Sequence, residues 1–170
     1  FTQYNTELES NKNVTLLNPR NIEDGYFIES GFVTSDKNID VPNSETLWSV
    51  EGNNKLTDQT PINLYWKNNQ GLTFEKIIKI DNQYLFTIEQ KIKNSSDKIY
   101  SFYPYAQIIR TKIPEIIDFF ILHEGPLGVL DDQLIEKDYK DILDKKYSKN
   151  ANIGFLGITD KYWLTSIIPQ

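Results

Sequence analysis

Leu72–Lys93 reads LTFEKIIKIDNQYLFTIEQKIK, and its period of two decides the fold class. From Leu72 to Ile80, Leu72, Phe74, Ile78 and Ile80 share one face while Thr73, Glu75 and Lys79 share the other. From Tyr84 to Lys93 the pattern repeats, with Tyr84, Phe86, Ile88 and Ile92 inward and Thr87, Glu89, Lys91 and Lys93 outward. Successive side chains of a strand point to opposite faces, so alternation of this length predicts two half-buried strands. Asp81–Gln83 between them reads as a short hairpin loop. Upstream, INLYWK (Ile62–Lys67) meets the first strand through NNQG. Gly71 there is free to take the positive φ that closes a four-residue loop. Together these segments predict a three-strand antiparallel meander.

Working outward, GYFIESGFV (Gly25–Val33) is aromatic-rich and extended. IYSFYPYAQIIRTK (Ile99–Lys112) is apolar on both faces, as expected of a strand buried from two sides. Pro104 within it cannot donate to a ladder, which implies a bulge or an edge there. DFFILHE (Asp118–Glu124) reads as another strand, ended by Gly125-Pro126. Asn-, Asp- and Ser-rich turns such as DKNIDVPNSE (Asp36–Glu45) punctuate these runs, and many short strands so separated predict an all-β, mainly antiparallel sandwich. Leu134–Tyr147 places Ile135, Tyr139, Ile142 and Lys146 at helical spacing; it reads either as a short amphipathic helix or as a strand followed by a turn. One or two short helices at most are expected, and 170 residues without an internal repeat or linker suggest one domain.

Composition excludes several functions. The net charge of −6 disfavours nucleic acid and anionic surfaces. Arg20 and Arg110 are the two arginines, which leaves little for bidentate phosphate recognition. There is no cysteine, hence no disulfide or zinc-thiolate site, and no apolar run approaches the roughly 18 residues of a spanning helix. A chain beginning at Phe1 without methionine is expected to be a processed product or an excised fragment. His123, in LHEGPLGVLDD, is the single histidine. On a strand, His123 and Glu124 would face opposite sides, and a metal would need Asp131 or Asp132 at spacings that match no common motif. A hydrogen-bonded or solvated histidine at a strand end is the simpler reading. Nucleophile elbows and glycine-rich phosphate loops are missing. Trp48, Trp66 and Trp163 would serve as sugar platforms, but aromatics at this density are first of all core or interface. No catalytic, cofactor or metal site is therefore expected.

The end of the chain carries the most specific signal. GFLGITDKYWLTSIIPQ (Gly154–Gln170) is unusually apolar for a terminus and reads as two short buried strands, Ile153–Ile158 and Tyr162–Ile168, with a bend at residues 157–161 and Pro169 ending the second. With FYPYAQIIR (Phe102–Arg110), FFILHEGPLGVLDD (Phe119–Asp132), GLTFEKIIKIDNQYLFTIEQKIKN (Gly71–Asn94) and LWSVEGNNKLT (Leu47–Thr57), it resembles the periplasmic domain of the YidC membrane protein insertase family, in its alphaproteobacterial pattern. The similarity runs from about Gly25 to Pro169, with the motifs in order. The lysine-rich, arginine-poor composition fits an AT-rich genome.

The resemblance implies a β-supersandwich resembling galactose-mutarotase-like folds. It implies a bacterial inner-membrane protein with an N-terminal membrane helix, this domain facing the periplasm, and a following membrane bundle that inserts and folds membrane proteins, alone or with the Sec translocon. Sec components and nascent membrane proteins are the implied partners, and the family offers no catalytic residues to carry over. Tyr105, Tyr162 and Trp163 are candidates for peptide or partner contact. Family members usually have further strands before the position of Phe1 and more chain after Pro169, so an open sheet edge near either terminus is expected. The alternative from another class is a carbohydrate-binding or aldose-epimerase-like sandwich. It would need an acid and a base on opposite sides of a sugar, His123 with Glu89 or Glu124.

Overall fold

A computed structural model describes residues 4–5, 11–114, 122–160 and 162–170. Its strands are β1 (Tyr26–Val33), β2 (Ser49–Glu51), β3 (Ile62–Lys67), β4 (Leu72–Ile80), β5 (Phe86–Asn94), β6 (Tyr103–Arg110), β7 (Gly125–Leu130), β8 (Gln133–Glu136), β9 (Gly154–Asp160) and β10 (Trp163–Ile167), with one short helix, α1 (Tyr139–Asp144). The described chain is thus mostly β and antiparallel, as expected. It gathers into two compact units, Ser30–Tyr105 and Phe1–Glu29 with Ala106–Gln170. The chain passes from one unit to the other within β1 and returns within β6, two strands that pair with each other. Thr111 N donates to Gly25 O, Gln107 Nε2 to Glu29 Oε2, and the Tyr105 ring lies on Gly31. Each step forward on β1 is matched by a step back along β6, so the pair is antiparallel.

In the Ser30–Tyr105 unit the sheet order is β2-β3-β4-β5, every neighbour antiparallel. Both NNQG and the strands flanking it form as expected. Asn68 Oδ1 accepts from the Gln70 and Leu72 amides at 3.0 and 2.9 Å, and Gly71 has φ +82°. Gln70 and Asn68 side chains then tie the preceding loop, Nε2 to Asn38 O at 2.8 Å and Nδ2 to Asp40 O at 2.9 Å. That holds Ile39 in a core with fully buried Leu72 and Phe74. Phe32, Val41, Trp48, Trp66, Ile92, Tyr100 and Phe102 pack around it. Phe74 meets Trp66 and Phe102 with ring centroids 5.7 Å apart in each pair.

The hairpin loop is longer than Asp81–Gln83. Asp81 Oδ1 accepts from the Gln83 and Leu85 amides at 2.8 and 2.9 Å, and Asp81 N donates to Leu85 O. This side-chain turn captures the backbone through Leu85, leaves Tyr84 at φ +65°, and delays β5 to Phe86. The expected inward face of β5 is correspondingly buried only in part. Ile92 joins the core, whereas Tyr84, Phe86 and Ile88 are exposed. The two-sided burial expected of Ile99–Lys112 also fails. Tyr103 is exposed, and among the described residues β6 has β1 as its one strand neighbour, so Pro104 sits on an edge.

In the unit built from Phe1–Glu29 and Ala106–Gln170, the sheet order is β10-β9-β7-β8. Most of the strand expected over Asp118–Glu124 lies outside the described residues, and Leu122–Glu124 are not strand. Gly125-Pro126 opens β7 rather than ending a strand. Pro126 is tolerated at the second position because it lies at the end of the β7–β8 ladder, where its carbonyl accepts from Lys137 N at 2.9 Å and only the return bond is forgone. Leu134–Tyr147 resolves into both readings in turn, a strand and then α1. The terminal strands form, but Gly157 is no bend: it lies mid-strand between Leu127 and Ser166. Gly154 has φ +142°, and a Cβ there would overlap the Val129 carbonyl oxygen. Among the described residues β10 has one strand neighbour, β9.

Phe74 and Phe86 share one face of the β4–β5 pair yet differ in burial, 0% against 51% exposed. Phe74→Ala is expected to cost about 3–5 kcal/mol in urea unfolding, and Phe86→Ala below about 1 kcal/mol.

Candidate functional site

The ends of four elements meet at Arg110, the last residue of β6. Its Nη1 donates to Asp160 Oδ1 at 2.5 Å and to the Tyr139 hydroxyl at 3.2 Å. Its guanidinium carbon lies 4.6 Å from the centre of the Tyr26 ring. Asp160 ends β9, Tyr139 opens α1 and Tyr26 opens β1. Both charged side chains are largely covered, at 18% and 24% exposure. Burial opposes the charge on Arg110, but Asp160 and Tyr139 outweigh it and raise the Arg110 pKa above its ordinary value. Burial pushes both phenols up from 10.0. The cluster therefore holds one closed ion pair between two neutral rings, an arrangement that fixes geometry.

The second arginine is also committed. Arg20 pairs with Glu29 and lies over the Phe27 ring. Neither guanidinium is left for phosphate.

In the other unit, β4 turns Lys76 to the same side as Phe74 and Ile78. Its Nζ donates to Ser30 O at 2.5 Å and sits 5.2 Å from the Trp48 ring centre. Burial lowers its pKa. Its cross-strand partners are Leu64 and Gln90, and the Gln90 Oε1 atom is buried without a hydrogen-bond partner. Sequence reading missed this polar row, although the alternation that places Phe74 and Ile78 inward places Lys76 and Gln90 there too. The far side of the sheet carries the charges instead, with Glu75–Lys93 at 2.5 Å and Glu89–Lys91 at 2.9 Å.

Of the proposed acid–base partners, His123 and Glu124 belong to one unit and Glu89 to the other. His123 Nε2 lies 3.1 Å from Pro126 O, which is the hydrogen-bonded histidine of the simpler reading. Glu89 is fully exposed, and the Lys91 hydrogen bond holds it below the usual carboxylate range, in its ionised form. Among the described residues no three His, Cys, Asp or Glu side chains group as metal ligands. Trp48 and Trp66 are packed against the core, not presented as platforms. Of the contact candidates, Tyr105 belongs to one unit, its ring against Gly31. Tyr162 and Trp163 belong to the other. Tyr162 is 76% exposed, and Trp163 is half-buried with its ring edge-on to Tyr4 at 5.3 Å.

Asp160→Asn removes the charge that compensates a half-buried guanidinium, so it is expected to cost about 2–4 kcal/mol in urea unfolding. The raised phenol pKa values set the alkaline limit. Protons held more tightly in the folded state contribute stability that is complete below about pH 10 and is lost as pH rises toward the folded values. Unfolding followed from pH 8 to 11 (both about, bracketing the tyrosine range) should show this decline, and Tyr139→Phe should flatten it.

The family model described as the YidC periplasmic domain matches residues 1–170. The membrane protein insertase YidC of Pelagibacter ubique (strain HTCC1062) is 60% identical over 169 residues, covering 99% of this chain and 30% of that protein. The membrane protein insertase YidC of Rickettsia akari (strain Hartford) is 42% identical over 173 residues, and that of Rickettsia prowazekii (strain Madrid E) 42% over 171. In both, 99% of this chain and 30% of the relative are covered. The chain thus spans about 30% of the length of the curated relatives it matches.

Proposed function

From a chain that belongs to the YidC periplasmic domain family, we propose a non-enzymatic accessory domain of a bacterial inner-membrane insertase, facing the periplasm. It works by protein–protein contact while the rest of the protein inserts and folds membrane proteins. The observation that carries this reading is the match along the whole chain to a family described as periplasmic, with relatives named membrane protein insertases. No helix among the described residues is long and apolar enough to cross a membrane, which fits a part that stands outside the bilayer.

Nascent membrane proteins are the first partners, with Sec components as a second set and a chaperone-like hold on unfolded segments as the mode. Tyr162 is the foremost contact residue, since it is the most exposed of the three aromatics, with Trp163 beside it and Tyr105 as a separate candidate. Residues 1–170 act as one domain of the β-supersandwich kind, in the galactose-mutarotase-like manner. Support comes from the path of the chain: it leaves the Phe1–Glu29 unit within β1 and re-enters within β6, so that unit needs both flanks of Ser30–Tyr105.

A photo-crosslinking residue at Tyr162, in the full-length protein in its native membrane, should capture nascent chains or Sec subunits. Capture of neither there, at Trp163 or at Tyr105 would overturn the contact role and leave the domain as a spacer.

A further inference from the structure

We propose that β5 is a self-pairing edge, by which two copies of this chain join antiparallel about Gln90. This inference stands apart from the insertase reading and rests on the strand alone.

The order β2-β3-β4-β5 leaves a strand at each edge of the sheet. β2 is 3 residues long, a form of edge that offers little to a partner. β5 is 9 residues long, FTIEQKIKN, without proline or glycine, and its pairing with β4 runs unbroken from Phe86 to Asn94. Among the described residues β4 is its one strand neighbour.

The hydrogen bonds at the two ends of the β4–β5 pair show which groups point outward. Ser95 N donates to Gly71 O, and Asp81 N donates to Leu85 O. Odd-numbered residues of β5 therefore bond to β4, and Phe86, Ile88, Gln90 and Ile92 turn their N–H and C=O groups to the open side. A second copy meeting that edge about a two-fold axis through Gln90 sets Gln90 opposite Gln90 and Ile88 opposite Ile92. These are hydrogen-bonded positions. Glu89 then faces Lys91 at a non-hydrogen-bonded position, where side chains approach most closely, and by symmetry the pair occurs twice.

The sequence is complementary to itself in this register on both faces. On the charged face, glutamate meets lysine. On the apolar face, Ile88, which is exposed at the edge, is covered by Ile92. A register shifted by two residues along the partner brings Glu89 against Glu89 or Lys91 against Lys91, so charge selects the centre. The occupant that fits is a second copy of the chain. The contact is a strand edge, small in area, so the association is weak.

Sedimentation velocity on the 170-residue chain from about 10 μM to about 1 mM should show a reversible monomer–dimer equilibrium, in the range of small interfaces. Glu89→Lys and Lys91→Glu, each alone, should weaken it by about tenfold or more, because each turns two attractions into repulsions. The double variant should restore it. Ile88→Pro deletes an outward N–H while keeping the β4 bonds and should abolish it, with circular dichroism confirming the fold of every variant. A chain that stays monomeric throughout, or a dimer indifferent to the single charge reversals, would overturn the proposal.

Discussion

A strand gives each side chain two directions, and both four-stranded sheets of this protein are arranged by that constraint. On β4 it means that burying Phe74 and Ile78 also turns Lys76 inward, since all three are an even number of residues apart. The sheet cannot have the one without the other. The ammonium is stabilised by the Ser30 carbonyl and the Trp48 indole, which replace part of its water, and burial still lowers its pKa. The opposite face gathers Glu75, Glu89, Lys91 and Lys93 in ion pairs that remain in solvent. On β9 the same rule places Asp160 on the side of Ile158, where Arg110 reaches it between Tyr26 and Tyr139.

How much of this was legible follows from range. The β3–β4–β5 meander was readable because period two is a local signal, and the bounds of β3 and β4 fall where the pattern puts them. β5 starts late because Asp81 binds the Gln83 and Leu85 amides, and a side-chain turn of this kind leaves no trace in hydrophobic periodicity. Gly125-Pro126 misled for a related reason. The dipeptide is a common stop signal, but here proline sits at the end of a ladder and forgoes a single terminal bond. The exposed end of β5 was illegible in kind. Alternation tells which residues share a face and says nothing about whether another layer covers that face.

The Arg110 cluster was beyond sequence reading for a different reason. Arg110 and Asp160 are separated by 50 positions, and nothing local announces that a partly buried guanidinium and carboxylate meet. Each residue did fall inside a segment that carried the family resemblance, Phe102–Arg110 and Gly154–Gln170. The most specific part of that resemblance thus contains a residue whose work here is to hold β6, β9, β1 and α1 ends together. Its Asp160 is committed to an arginine, and the neighbouring Tyr162 stands exposed in the turn before β10.

That division bears on mechanism. Among the described residues Arg110 is held charged, the buried phenols neutral and Glu89 ionised, so each is fixed further in the form it already has near neutral pH. Lys76 moves toward neutrality, and its amine is already engaged by a backbone carbonyl and an indole. What the molecule presents to its surroundings is instead strand edges, exposed aromatic and aliphatic side chains at turns, and ion-paired sheet faces. Those are features through which one polypeptide meets another.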